Sequence, residues 1–464
     1  MHGRDALFPD FDQLTDAENA LTERLSQARR NYASRNATSA ELTPDWLEEL
    51  QSKRFDQAED LEPLMDWVID ALDTGSVQMT HPGYLGLFNP APTFAAECAD
   101  RIASAFNPQI CVYSHAPAAV EIEQHVIKEL GRRAGLPKGS GGHFTSGGAE
   151  ANSTAVLCAL QAKCPQYSDK GIYAFGGQPT IYVSKESHLA WLKMAHSAGI
   201  GRNAVRLIAT NGQEQMDTRC LATAINEDLR SGCVPVLIVA TAGTTNAGMI
   251  DPLKDCSALA QKHDMWFHVD AAWGGAMIAS TAGRSVLNAI EQADSITIDA
   301  HKWFATTMGA GMFLTSRLDI PAQVFRISAS YMPESEAAKD FYVNSNQWSR
   351  RFVGLRLFLA LGAAGWGGYG DHVERSIHLT NRFTENLKKA GWTEANRSLM
   401  GVSCMVPPEG NDAVQRYVDA VHEDGRFWIS KAVFEGEPVL RACVTNGRTD
   451  EATIDQLTAF LTTL

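Results

Sequence analysis

The amino-acid sequence predicts an α/β protein: a mostly parallel, seven-stranded sheet flanked by helices, followed by a smaller C-terminal α+β unit. Two observations carry this. From about residue 80 to residue 320, apolar runs of strand length alternate with stretches of helical periodicity. The runs are apolar and β-branched along most of their length, which suits strands shielded on both faces by crossover helices. After about residue 350 the alternation stops, and two helical stretches precede two strand-like pieces.

The elements follow in order. Leu14, Ala17, Leu21, Leu25 and Ala28 recur at helical spacing behind Thr15 and Asp16, so residues 14–31 read as an amphipathic helix. Residues 41–75 continue in helical style to "DTGSVQ". This layer, residues 1–75, either packs on its own chain or wraps a partner subunit. In the large unit, residues 76–350, the strand-like runs are 142–148, 180–184, 204–210, 234–243, 265–272, 295–300 and 309–316. Helical patterns cover 150–163, 187–199, 219–232 and 252–264. The small unit, residues 351–464, reads as helices over 350–363 and 371–390, strand-like "GVSCMV" and "PVLRACV", and a closing helix from about 450.

Bulk composition excludes several function classes. A chain of 464 residues with net charge −14 and no long basic run lacks the clustered Lys and Arg that non-specific nucleic-acid binding needs. The longest apolar runs, "VPVLIVATAG" and the glycine-interrupted "LRLFLALGAAGWGG", fall short of the roughly 20 residues of a membrane span. The N-terminal stretch has no basic segment followed by an apolar run, so no signal peptide is expected. Nine cysteines without a C-x-x-C read as reduced thiols in a cytoplasmic protein, and no metal site is expected.

Four unusual stretches fall at the carboxyl ends of predicted strands, where doubly wound sheets bind ligands. In "HFTSGGAEAN", residues 143–152, Gly147 and Gly148 open a helix, where backbone N–H groups can approach an anion. In "HVDAAWGG", residues 268–275, Asp270 is either a helix cap or a carboxylate for a ring nitrogen. His188 of "SHLAWLKMAH" starts a helix, as a satisfied polar group or a planar stacker. In "SITIDAHKWF", residues 295–304, Lys302 follows a buried strand, where it either snorkels to solvent or is chemically used. An anion cradle, a carboxylate, a planar group and an amine are together what pyridoxal 5′-phosphate requires.

With these motifs the chain resembles the pyridoxal-phosphate-dependent group II amino-acid decarboxylases, which include aromatic-amino-acid, glutamate and histidine decarboxylases. The resemblance runs from about residue 75 to the C-terminus and is strongest at "HVDAAWGG" and "DAHKW". It implies the aspartate aminotransferase type I fold and a homodimer with active sites at the interface. It implies that Lys302 bonds the cofactor aldehyde, Asp270 pairs with the pyridine nitrogen and His188 stacks on the ring. Gly147, Gly148 and Ala149 would meet the phosphate with His301 nearby, and Thr245 and Ala272 would lie beside the ring. Many relatives read Pro-His-Lys where this chain has Ala300-His301-Lys302, and Asp299 is an asparagine in others. Tyr331, in a polar stretch of little periodicity, matches the tyrosine that protonates Cα after CO2 leaves; in aldehyde-forming relatives that residue is typically phenylalanine.

By the same resemblance, "HPGYLGLFNPAP" and "NPQICVYSHAP" line the substrate pocket, with Leu87, Phe88, Asn89, Gln109 and Cys111 as candidates. Phe88 offers an apolar wall. Asn89 and Gln109 either bind a polar side-chain end or serve as hydrogen-bonded loop residues. Arg441 fits a family arginine found across specificities. No basic residue in 81–92 clearly awaits a side-chain carboxylate. The expectation is therefore decarboxylation of an aromatic or bulky apolar L-amino acid. An acidic or other polar substrate, or oxidative aldehyde formation, is the alternative, and a non-catalytic scaffold is the reading from a different class.

Overall fold

A computed structural model of the chain describes residues 7–327 and 340–464. Three helices come first: α1 (Phe11–Arg30), α2 (Pro44–Ser52) and α3 (Leu61–Gly75). Asp10 caps α1 with a reciprocal Gln13 contact, and Thr43 caps α2 ahead of Pro44. None of their residues is buried, and Leu14, Leu25, Leu47, Leu50, Leu61 and Leu72 face solvent. Arg24 ties α1 to α3 through Asp66 at 2.5 Å and Asp70 at 3.0 Å.

Two helices the sequence reading did not assign come next, α4 (Phe94–Phe106) and α5 (Pro117–Ala134). The large sheet and its helices follow: β1 (Gly141–Thr145), α6 (Gly148–Lys163), β2 (Pro179–Ser184), α7 (Ala190–Ser197), β3 (Val205–Ile208), α8 (Thr218–Arg230), β4 (Val234–Thr241), α9 (Leu253–Lys262), β5 (Trp266–Asp270), β6 (Ser295–Asp299) and β7 (Gly311–Thr315). All seven predicted strands are present, in the spatial order β1-β7-β6-β5-β4-β2-β3. β2 to β6 are parallel; β7 is antiparallel to both its neighbours, β1 and β6. Residues 300–310 between β6 and β7 are too few for a crossover helix, so the chain must turn straight back. That tight return carries Lys302.

β2, β5 and β6 are buried at every residue. α6 presents Ala151, Ala155, Cys158 and Ala159 to Val183, Val236, Leu237 and Val239, and these small side chains bring the helix close to the sheet. Its N-terminus therefore opens directly beside the ends of β5 and β6.

After the sheet, α10 (Gly354–Lys389) comprises two helical segments, as the sequence predicted. They meet in a kink at Gly365, whose φ of 64° is open to glycine and costly for other residues. β8 (Thr393–Glu394), β9 (Val402–Val406), α11 (Val414–Asp424), β10 (Ser430–Phe434), β11 (Glu437–Cys443) and α12 (Glu451–Leu461) complete the chain. Their antiparallel sheet runs β10-β11-β9-β8. Residues 84–86 thread along it: Leu85 N donates to Trp428 O at 2.8 Å, and Cys443 N donates to Leu85 O at 2.6 Å. A Cβ on Gly86 would sit 2.1 Å from the Trp428 ring, so only glycine permits this approach. Phe88 and Asn89 are thereby held between the two sheets.

Arg350 and Glu123 form a buried pair at 2.5 Å that also engages Phe144 O and Gly354 N. Removing one member leaves a buried charge alone, which typically costs about 3–5 kcal/mol. Arg350→Met should lower unfolding free energy by that amount in denaturant titration, and adding Glu123→Gln should recover part of it.

Candidate functional site

A cavity of about 350 Å³ opens at the carboxyl ends of the central strands. β5 ends in Asp270 and β6 in Asp299, and both side chains line it. The turn after β6 adds His301 and Lys302. That turn is anchored by its apolar neighbours: Trp303 and Phe304 are fully buried, and Trp303 Nε1 donates to Ser376 Oγ at 3.1 Å. Lys302 is thus carried into the cavity wall, with Nζ 3.0 Å from Asp299 Oδ2. The other Asp299 oxygen, Oδ1, is buried with no hydrogen-bond partner.

The far wall is the N-terminus of α6. Gly147 caps the helix, and Gly148 and Ala149 line the cavity. A Cβ on Gly148 would lie 2.9 Å from Asp299 Oδ2, so glycine is what lets helix end and strand end meet. Unpaired N–H groups and the helix dipole make this a site for an anion. His188 is exposed at the mouth, and its Nδ1 accepts from Ala190 N at 3.2 Å.

Asp270 is buried, and burial raises its pKa, opposed by the Lys302 charge and by the Asn152 hydrogen bond. Its Oδ2 accepts from Asn152 Nδ2 at 2.8 Å and its Oδ1 from Ala272 N at 3.2 Å. Burial lowers the pKa of His301, with neighbouring Asp299 opposing. A buried carboxylate of this kind is best satisfied by a cation brought by a ligand.

The apolar side is built by residues from both sheets. Phe88 stacks on Trp273 with ring centroids 4.4 Å apart, and Trp273 Nε1 donates to Gly243 O at 2.8 Å. Arg441 of β11 lies under Phe88 at 5.7 Å and spends its donors on Ser430 Oγ, Thr245 O and Gly86 O. Asn89 Nδ2 reaches Met308 Sδ at 3.4 Å.

The structure therefore brings Gly148, Ala149, His188, Thr245, Asp270, Ala272, His301, Lys302, Phe88 and Asn89 to one cavity, with Gly147 at its edge. Gln109 and Cys111 are not brought there by their own chain. Gln109 Oε1 accepts from Cys111 N and Arg350 N, and Cys111 packs with Val112, Tyr342 and Val343. Gln109 is here a hydrogen-bonded loop residue. Tyr331 lies outside the described residues. Sequence reasoning missed Asn152, Met194 and Met308. Asn152 stands one helical turn after Gly148, a spacing that puts both on one face; Met308 carries no sequence signal of its own.

A mostly parallel sheet with a lysine, a carboxylate and a glycine-opened helix at its strand ends defines a pyridoxal-phosphate enzyme of fold type I. Residues 44–398 match the pyridoxal-dependent decarboxylase conserved domain, and the chain belongs to that family. Tryptophan decarboxylase 2 of Oryza sativa subsp. japonica is 26% identical over 470 residues, 96% of this chain and 93% of that protein. Aromatic-L-amino-acid decarboxylase of Bacillus atrophaeus is 28% identical, covering 80% of this chain and 78% of that one. The acidic amino acid decarboxylase GADL1 of Bos taurus is 29% identical over 68% of this chain and 61% of its own. Among solved structures, mouse CSAD superposes with a TM-score of 0.91 at 25% identity, covering 97% of this chain and 98% of that one. The chain is a pyridoxal-phosphate-dependent amino-acid decarboxylase.

The residues present fit that cofactor. The α6 N-terminus suits its phosphate, Asp270 is a buried carboxylate in need of a cation, and Lys302 supplies the amine. Among the described residues no helix is long and apolar enough to cross a membrane.

Proposed function

We propose that this enzyme removes the α-carboxylate of an aromatic or bulky apolar L-amino acid, releasing CO2 and the amine. The observation that carries the substrate class is the fate of Arg441. Its guanidinium lies beneath the apolar wall and outside the cavity lining, and each of its three nitrogens already donates, to Ser430 Oγ, Thr245 O and Gly86 O. Phe88, Trp273, Met194 and Met308 line the cavity, and Lys302 is the one Lys or Arg among its described lining residues. An acidic side chain entering there would lack a guanidinium partner, whereas an aromatic one would meet rings and thioethers.

Each residue's role follows from its surroundings. Bound pyridoxal phosphate supplies an aldehyde that bonds amines and a protonated ring that withdraws electrons from the bond to the leaving carboxylate. Gly147, Gly148 and Ala149 hold the phosphate with backbone N–H groups at the α6 N-terminus, and His301 borders it. Asp270 keeps a proton on the ring nitrogen by electrostatic stabilisation. His188 would stack on the ring, with Thr245 and Ala272 beside it, as the resemblance implies and as their shared cavity permits. Lys302, whose Nζ is steadied by Asp299, would hold the cofactor through its amine. Tyr331, by resemblance, returns a proton to Cα. Phe88 and Asn89 face the substrate side chain.

We also propose a homodimer. The apolar faces of α1 to α3, with Leu7, Phe8, Phe11, Phe94 and Phe106 exposed near them, are the support.

The second reading, an acidic substrate, draws on the likeness to the acidic amino acid decarboxylase GADL1. A panel of L-amino acids assayed for CO2 and amine separates the two. Aromatic substrates should exceed glutamate and aspartate in kcat/KM by about 10²-fold or more, since a buried unpaired carboxylate costs several kcal/mol; the reverse order overturns the substrate assignment. Running Tyr331→Phe in the same panel should cut amine and raise aldehyde, ammonia and peroxide in air.

Two further outcomes are expected. Lys302→Ala should lose turnover and the visible absorbance of bound cofactor, and borohydride should label the wild type on the peptide containing Lys302. Deleting residues 1–70 should yield insoluble or inactive chain; a soluble, active monomer by light scattering would refute the dimer.

A further inference from the structure

We propose that Asn152, His268 and Ser295 form a one-way hydrogen-bond chain, begun by Trp266, that sets the orientation and charge of the Asp270 carboxylate. The inference rests on the reading of Asp270 as partner of the cofactor ring.

The links are short and entirely inside the protein. Trp266 Nε1 donates to Ser295 Oγ at 2.8 Å. Ser295 Oγ and His268 Nδ1 are 2.8 Å apart. His268 Nε2 and Asn152 Oδ1 are 3.0 Å apart, and Asn152 Nδ2 donates to Asp270 Oδ2 at 2.8 Å. All five side chains are buried. They come from two neighbouring strands and one helix: His268 and Asp270 share a face of β5, Ser295 pairs with His268 in register on β6, and Asn152 descends from α6.

Chemistry gives the chain its direction. An indole N–H can only donate, and an ionised carboxylate can only accept. Ser295, receiving the indole proton, passes its own to His268 Nδ1. His268 then carries its proton on Nε2, which donates to Asn152 Oδ1 and leans on Thr297 Oγ1 at 3.3 Å. Asn152 must therefore turn its amino group to Asp270. In the opposite sense Asn152 would press a carbonyl oxygen against the carboxylate. The carboxylate end selects the sense, and the hydrogen positions are assigned from it. Burial pushes the His268 pKa down to about 3, with the Ser295 backbone opposing, so the ring relays polarity without adding charge.

The chain matters because Asp270 is otherwise exposed to conflicting fields. Burial favours its neutral form and so does Asp299; Lys302, Asn152 and the Ala272 N–H favour the anion. His188 and His301 line the same cavity. Asn152 is the one side-chain donor bonded to Asp270 among the described residues. Loss of that bond should raise the pH at which Asp270 takes up a proton, because the bond stabilises the charged form.

The test uses apoenzyme and holoenzyme of the wild type, Asn152→Leu, Ser295→Ala and Asp270→Asn. Pyridoxal phosphate is titrated into each apoenzyme across pH by absorbance, with kcat, KM and apoenzyme melting temperature alongside. Asn152→Leu should weaken cofactor affinity by about 10–100-fold, the usual cost of losing a partner that orients a ligand. Its acid limb of binding should move to higher pH, and kcat should fall with KM little changed. Ser295→Ala, which removes one oxygen, should move the acid limb the same way by less, and it carries the test where Asn152→Leu fails to fold. If Asp270→Asn loses affinity and kcat while the chain variants keep the wild-type acid limb, the chain is only structural and the inference falls. If Asp270→Asn itself behaves as wild type, the reading of Asp270 falls first and takes this inference with it.

Discussion

A carboxylate and an amine held at the ends of two adjacent parallel strands are the constraint on which the rest of this structure depends. Asp270 on β5 and Lys302 just beyond β6 are too polar for the interior around them. The protein tolerates them because each is matched locally. Asp270 receives two hydrogen bonds, and Lys302 sits 3.0 Å from Asp299. Strand ends are where such groups can be mounted: the strand fixes the backbone, and the open end of the sheet leaves space for a ligand.

The surrounding architecture keeps that arrangement rigid and accessible. The antiparallel return from β6 to β7 makes the lysine turn short, and Trp303 and Phe304 anchor it. The small-residue face of α6 brings the anion-binding helix end within contact of Asp299. The C-terminal sheet contributes at a distance: Arg441 holds the Thr245 loop and the Gly86 segment together. Arg356 does comparable work at the rim, donating to Asp100 at 2.7 Å and to Met308 O at 2.9 Å, which holds the Met308 loop over the cavity.

Much of this was legible in the sequence. The seven strands, the helices between them and the residues Lys302, Asp270, His188, Gly147 and Gly148 follow from periodicity and from local motifs that the backbone itself reads. β-branched runs, glycine at a helix start and a polar residue after a buried strand are signals contained within a few residues. The reversed direction of β7 was within reach too, since the length of its connection decides it.

What only the tertiary structure decided is which distant residues meet. α4 and α5 have apolar faces that gain meaning only against α10 and the sheet. Gln109 and Cys111 are close to the motif in sequence but are packed beside Arg350 and Tyr342. Arg441 lies 171 residues beyond Asp270 (441 − 270), yet it builds the pocket wall. The physical reason is range. Backbone propensity and side-chain alternation act over a few residues, whereas the pairing of Asn152 with Asp270, or of Arg441 with Thr245, exists only after sheet, helix and C-terminal strand have been brought into register.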